Sequence, residues 1–239
     1  SGFYGASDEM HIAWIQQMDK AMGEGQVPPR YVPDLSYGFG YPLFNFISPL
    51  PYYVGVGIHK LGFSYVDSFK IVLGLSIIGS ALAMYALGAY LGGTKIGLAA
   101  SLIYTYSPYR ATDIYVRGAL GESVAFVWLP LITLAILKIG NNDSKWRWVG
   151  VGGLAIGALV LSHNIVSFMF LPMVAGLIIL GRSKERLQQL VAVGLGGLVS
   201  VYFWLAALVD SNLMKYDPVY WFYDHFPSLK YTETSPPNP

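Results

Sequence analysis

Residues 148–181, WVGVGGLAIGALVLSHNIVSFMFLPMVAGLIILG, form 34 consecutive positions without Asp, Glu, Lys or Arg. One membrane-spanning helix needs about 20 apolar residues. The stretch is too long for one comfortable span and about right for two short ones. Its only polar cluster, Ser162-His163-Asn164, lies near the middle. The pattern predicts a helical hairpin turning at Ser-His-Asn on one membrane face. The rest of the chain is oriented relative to that turn.

Composition agrees. Of 239 residues, 54% are hydrophobic and 12% charged, where soluble domains carry about 25% charged residues. The mean hydropathy is +0.47. A multi-pass membrane protein follows, with the lipid bilayer as its first partner. The net charge of +1 gives no nucleic-acid footprint. Without cysteine, disulfides, thiolate nucleophiles and Cys-type zinc sites are excluded within these residues. The chain starts at Ser1 and ends in TETSPPNP. We read it as an internal piece of a longer protein, with a membrane helix expected before Ser1.

Three regions are expected. Residues 1–50 make an outer-side loop with an amphipathic interfacial helix. Ser7 is its predicted N-cap, with acids in the first turn and Ile12, Ile15, Met18 and Met22 on one face. Residues 51–209 make a transmembrane bundle of about six or seven helical segments: 49–61, 64–91, 96–105, an amphipathic stretch at 107–118, 120–137, the hairpin, and a span at 190–208. Residues 210–239 make a polar outer-side tail carrying Asp210, Lys215, Asp224 and His225. Basic residues set the topology. Lys95, then Lys138, Lys145 and Arg147, then Arg182, Lys184 and Arg186 mark cytoplasmic loops. Residues 1–50, residues 107–118, the Ser162-His163-Asn164 turn and the tail then share the outer face of the cell membrane. Nearly every unusual polar residue faces one compartment.

Three constellations carry chemistry. Asp8, Glu9 and His11 open the first helix, with Asp8 and His11 on one face. A carboxylate beside a histidine binds a divalent cation or acts as a general base; first-turn acids favoured by the helix dipole explain the same pattern. Arg110, Asp113 and Arg117 fall at i, i+3 and i+7, where two guanidinium groups can clamp a phosphate or simply face water and headgroups. Glu122 begins an apolar span, where a carboxylate is costly unless paired; Arg117 can reach it if residues 118–121 bend. His163 and Asn164 form the third: His163 has either a direct chemical role or a hydrogen-bonded structural one, with Ser162 and Asn164 as turn formers. No phosphate loop, nucleophile elbow, zinc-protease helix or dinucleotide fingerprint is present.

Taken in order, the motifs resemble a family. They are Asp8-x-x-His11, Pro29-Arg30, Gly38-x-Gly40-Tyr41-Pro42-Leu43-Phe44 and Pro49-x-Pro51-Tyr52-Tyr53. Tyr115-x-Arg117-Gly118 with Glu122, Leu161-Ser162-His163-Asn164 and Trp204-Leu205 with Asp210 follow. The set is similar to the GT-C superfamily of multi-pass membrane glycosyltransferases, nearest to the prokaryotic 6-pyruvoyl-tetrahydropterin synthase-related membrane proteins. The resemblance implies an all-α, polytopic, GT-C-like bundle. It implies transfer of a sugar from a polyprenyl-phosphate donor to an acceptor at the outer membrane face. Asp8, with Glu9 and His11, would be catalytic, and Asp8 and His11 would be the ligands of any Mg or Mn ion. Arg110, Arg117 and His163 would bind the donor phosphate, supported by Arg30, Asp113, Glu122 and Asn164. Adjacent Asp8-Glu9 replaces the D-x-D-like pair of many relatives, which bears on metal use. The alternatives are a non-catalytic scaffold or accessory subunit with a degenerate GT-C fold, packed on partner chains, and, ranked last, a transporter. The subgroup's label implies no pterin chemistry.

Overall fold

The computed structural model describes residue 8 and residues 10–141, 144–181 and 183–210. Ser7, Glu9, Arg182 and the tail with Lys215, Asp224 and His225 lie outside the described residues. The elements are helical throughout, apart from one antiparallel bridge between Val32 and Tyr41. An all-α membrane protein is the result.

Helix α1 (Met10–Gly23) buries Ile15 and Met18, while Met22 at its end is exposed. The short α2 (Leu43–Phe46) and α3 (Leu50–Lys60) follow. Helix α4 (Tyr65–Gly92) starts where Ser64 Oγ accepts the Asp67 N–H at 3.0 Å and donates to Asp67 Oδ2 at 2.7 Å, a reciprocal cap. Helix α5 (Thr94–Thr105) returns along α4. Then come α6 (Pro108–Thr112), a π-helical turn (Asp113–Arg117) and α7 (Leu120–Gly140). Helices α8 (Lys145–Ser162) and α9 (Asn164–Leu180) are joined by the single extended residue His163. The break falls at Ser162-His163-Asn164, as expected for 148–181, but α8 packs chiefly on α7 and on α10 (Arg186–Val199) rather than along α9.

Helix α4 packs on α5 and α7, α7 on α8, and α8 on α10. Helices α4 and α7 are long and apolar enough to cross a membrane. The continuous span expected at 190–208 is instead broken at Ser200. There α10 and α11 (Val201–Asp210) bend by 64°. The Gly196-Gly197 pair weakens the helix just before the break. Ser200 Oγ donates back to the Gly196 carbonyl at 2.9 Å, a contact that bends helices. Trp204 Nε1 donates at 2.9 Å to the carbonyl of Gly197.

One apolar core includes Ile15 and Met18 of α1, Phe44 of α2, Tyr52 and Val56 of α3, Phe69 and Val72 of α4, and Leu120 and Val124 of α7. Packing therefore runs unbroken across residue 50, and the first segment sits fixed on one end of the bundle. A second core joins α7, α8 and α9 through Ile132, Ile136, Ile156, Leu159 and Val174. Between these cores the start of α7 meets the α8–α9 joint.

Candidate functional site

Where helix ends converge, a cleft of about 190 Å³ opens. Its walls come from five separate stretches: Asp8, His11 and Trp14; Ile47, Ser48 and Tyr52; Arg117 and Ala119; Gly121 and Glu122; and Ser162 to Ile165. Close packing makes the convergence possible. A Cβ on Gly121 would stand 2.7 Å from the Ser162 carbonyl oxygen, so a bare backbone at 121 lets α7 touch the hairpin joint.

Arg117 is the electrostatic centre. The π-turn ends at Gly118 in the left-handed region (φ 71), which glycine adopts without strain. The turn aims the guanidinium at three carboxylates. Nη1 donates to Glu122 Oε2 at 2.8 Å and to Asp113 Oδ1 at 3.3 Å. Nη2 is 3.9 Å from Asp8 Oδ2, beyond hydrogen-bond range. The Arg117 carbonyl accepts the Asp8 N–H at 2.9 Å, which fixes Asp8 against the turn. Glu122 also accepts from the Tyr109 hydroxyl. Asp113 is buried and accepts from Ser123 Oγ at 3.1 Å. Burial, then the neighbouring Glu122, pushes its carboxyl up to about 7. Asp8 is 40% exposed, with both side-chain oxygens outside hydrogen-bond reach of Arg117.

The two histidines are neutral. Burial holds His11 down at about 4, against the opposing charge of Asp8; His163 and Arg117 add to the lowering. Its Nδ1 lies 2.8 Å from the buried Tyr52 hydroxyl. Burial raises that hydroxyl well above its usual range, so it keeps its proton. The two share one hydrogen bond whose direction follows the His11 tautomer. His163 Nδ1 accepts the Val166 N–H at 3.2 Å and caps α9, which puts its proton on Nε2. Asn164 donates to the Phe46 carbonyl at 2.7 Å and accepts from Ser48 Oγ, clamping the α2–α3 joint to the hairpin.

The structure thus brings Asp8, His11, Arg117, Glu122, His163 and Asn164 to one cleft, with Asp113 directly behind it. Two other expected residues are not brought there. Arg110 is 1% exposed and faces the bundle: Nη1 donates to Ser80 Oγ at 2.6 Å, and its guanidinium lies 4.9 Å from the Phe126 ring. The i, i+3, i+7 reading assumes 3.6 residues per turn; the wider winding of the π-turn separates Arg110 from Arg117. Arg30 sits in a different groove, bonded to Asn45 Oδ1 at 2.9 Å and the Tyr202 carbonyl at 3.0 Å. Glu9 is outside the described residues. Among the described residues no group of three His, Cys, Asp or Glu side chains converges as metal ligands.

Sequence reading missed Trp14, Ser48 and Tyr109 as neighbours of these groups, whereas Tyr52 was marked by the Pro49-x-Pro51-Tyr52-Tyr53 motif and by the expectation that the aromatics from Tyr37 to Tyr53 shape the sugar site. Of those missed, only Trp14 had a usable signal, lying three residues after His11 and hence on its face. Also missed was a separate apolar groove of about 520 Å³. Leu50 and Val54 of α3, Val124, Trp128 and Leu131 of α7, and Leu154, Ala158 and Leu161 of α8 line it. Residues one or two positions apart divide between the two: Glu122 and Val124, Ser162 and Leu161, Ser48 and Leu50. Trp128 Nε1 donates to Ser162 Oγ at 2.9 Å, bridging them.

An uncharacterized protein of Lactococcus lactis subsp. cremoris (strain MG1363) is 26% identical over 207 residues, covering 82% of this chain and 33% of that protein. The chain therefore spans about a third of the length of this relative. No solved structure matches. The model of the 6-pyruvoyl-tetrahydropterin synthase related domain, described as a membrane protein, matches residues 44–230. That match takes in the π-turn, the start of α7 and the hairpin joint, so the chain belongs to the 6-pyruvoyl-tetrahydropterin synthase related family of membrane proteins.

Proposed function

We propose that the cleft is the active site of a GT-C-type membrane glycosyltransferase, which moves a sugar from a polyprenyl-phosphate donor to an acceptor hydroxyl at the outer face of the cell membrane. The observation that carries this reading is a polar cleft and an apolar groove whose linings come within one or two residues of each other at three places along the chain and meet at the Trp128–Ser162 hydrogen bond. A lipid-linked donor has that duality: a long apolar tail and an anionic head joined at one atom. The tail lies along Val124, Trp128 and Leu131; the phosphate and sugar rise into the cleft.

Asp8 is the base. Glu122 is tied by two hydrogen bonds, whereas the Asp8 carboxylate is exposed and without a short ion pair. As the acceptor oxygen bonds to the sugar's anomeric carbon, the bond from that carbon to phosphate breaks. The acceptor proton passes to Asp8 and the lipid phosphate leaves. Donors aimed at developing charge lower such barriers. His163 Nε2–H and Arg117 Nη2 fill that role for the departing phosphate. Arg117 Nη1 stays on Glu122 and Asp113, so the guanidinium need not move.

The test is Asp8→Asn in membranes, assayed with a labelled polyprenyl-phosphate sugar. Loss of transfer with unchanged thermal unfolding is expected. Turnover equal to the unsubstituted protein would remove Asp8 from the reaction.

A further inference from the structure

We infer that the groove around Arg30 and Asp210 is a second binding site, for the zwitterionic head group of a phosphoethanolamine lipid. It is separate from the cleft and stands independently of the glycosyl-transfer reading.

The groove encloses about 420 Å³ between the first segment and α11. It contains one guanidinium and one carboxylate that do not pair with each other. Asn45 stands between them: Arg30 Nη1 donates to Asn45 Oδ1 at 2.9 Å, and Asn45 Nδ2 donates to Asp210 Oδ2 at 2.6 Å. Asn45 is itself buried, so its amide is a fixed spacer. An Arg and an Asp facing one groove would ordinarily close into an ion pair. Holding them one amide apart leaves a positive pole and a negative pole at a set separation. Arg30 spends a second N–H on the Tyr202 carbonyl at 3.0 Å. Three of the five guanidinium hydrogens then remain for an anion.

A ligand that satisfies both poles carries an anion and a cation a few bonds apart. The groove's third wall selects a lipid. Leu205 and Val209 of α11 present exposed apolar surface beside the poles, and the 64° break at Ser200 turns that surface away from the line of α10. In a membrane protein this wall meets acyl chains. A phosphate seats on Arg30, a primary ammonium donates to Asp210, and one chain follows α11. A choline head group has no N–H for Asp210, and a glycerol head group has no cation.

The test uses the full-length protein in nanodiscs of equal phosphatidylethanolamine, phosphatidylcholine and phosphatidylglycerol, with retained lipid counted by mass spectrometry after extraction. Retained phosphatidylethanolamine is expected to exceed each of the others by about fivefold, the scale of one charge-assisted hydrogen bond. Asp210→Asn is expected to abolish that preference while lipid is still retained. Arg30→Lys, which keeps charge but loses the fork, is expected to lower retention of all three. Equal retention of the three lipids by the unsubstituted protein would overturn the proposal, as would an undiminished preference in Asp210→Asn. The comparison of ethanolamine with choline needs no variant and decides the matter even if both substitutions unfold the protein.

Discussion

Replacing Arg117 with Gln removes the one cation that three acidic side chains share. Two pairs are lost, at 2.8 Å to Glu122 and 3.3 Å to Asp113. At an effective dielectric of about 20, each is worth about 5 kcal/mol of Coulomb energy before desolvation. The guanidinium is 42% exposed, so screening and desolvation leave about 1 kcal/mol per pair, or about 2 kcal/mol in all. For a chain of this size that lowers Tm by about 4–8 °C. The loss must depend on pH, and its sign follows from Asp113. Its carboxyl is raised to about 7 in the fold, chiefly by burial and then by Glu122, with Arg117 opposing. A raised carboxyl leaves stability fully present below its unfolded value near 4 and loses it as pH rises through 7. Without Arg117 the carboxyl rises further, so the variant falls increasingly behind on the alkaline side. Thermal unfolding of both proteins in detergent at pH 5 and pH 8 measures this. The gap in Tm should be nearly full at pH 8 and about half as large at pH 5, where Asp113 is protonated and the Glu122 pair remains. An equal gap at both values would show that Arg117 acts by packing, and would refute this account of the cluster.

Other perturbations read separate parts of the site. Gly121→Ala puts a Cβ 2.7 Å from the Ser162 carbonyl oxygen; forcing α7 from the hairpin joint should cost about 1–3 kcal/mol in denaturant unfolding. His11→Gln keeps a partner for Tyr52 but removes a ring whose protonation is held down to about 4. Because a depressed value means stability lost as pH falls from about 6.5 toward 4, the variant should lack up to about 3 kcal/mol of that acid-side loss, seen as a flatter Tm profile over that window. Trp128→Phe breaks the 2.9 Å bond to Ser162 and trims the groove wall; on the proposed reaction it should raise KM for the lipid donor about fivefold with kcat within about twofold, the pattern of uniform binding lost.

Much of the fold was legible because the bilayer imposes strict rules. An uncharged run longer than one span must turn, and the turn must hold the polar residues; His163 is that turn. The same logic placed α4 and α7 to within a few residues, since their ends coincide with Ser64 and with the Gly118–Gly121 segment. The bend inside the span at 190–208 was not legible because hydropathy averages over Gly196-Gly197. A bend leaves composition unchanged, and only the placement of the Ser200 and Trp204 hydrogen bonds reveals it.

The site was legible by type and illegible by grouping, and the reason is geometric. Seeing that Glu122 needed a cation required only the cost of a carboxylate at the start of an apolar helix. Choosing between Arg110 and Arg117 required the local winding. In an uninterrupted α-helix both would share a face and either could serve. The π-turn at Asp113–Arg117 adds a residue to that stretch. It sends Arg110 onto Phe126 and Tyr104 inside the bundle, and Arg117 toward Glu122 and Asp8. The expected two-arginine clamp therefore becomes one arginine among carboxylates. That leaves little net positive charge to attract an anion from solution. On the proposed reaction, recognition of a lipid phosphate then rests on the neutral His163 Nε2–H, on the Arg117 Nη2 hydrogens, whose charge the neighbouring carboxylates offset, and on the apolar groove for the tail.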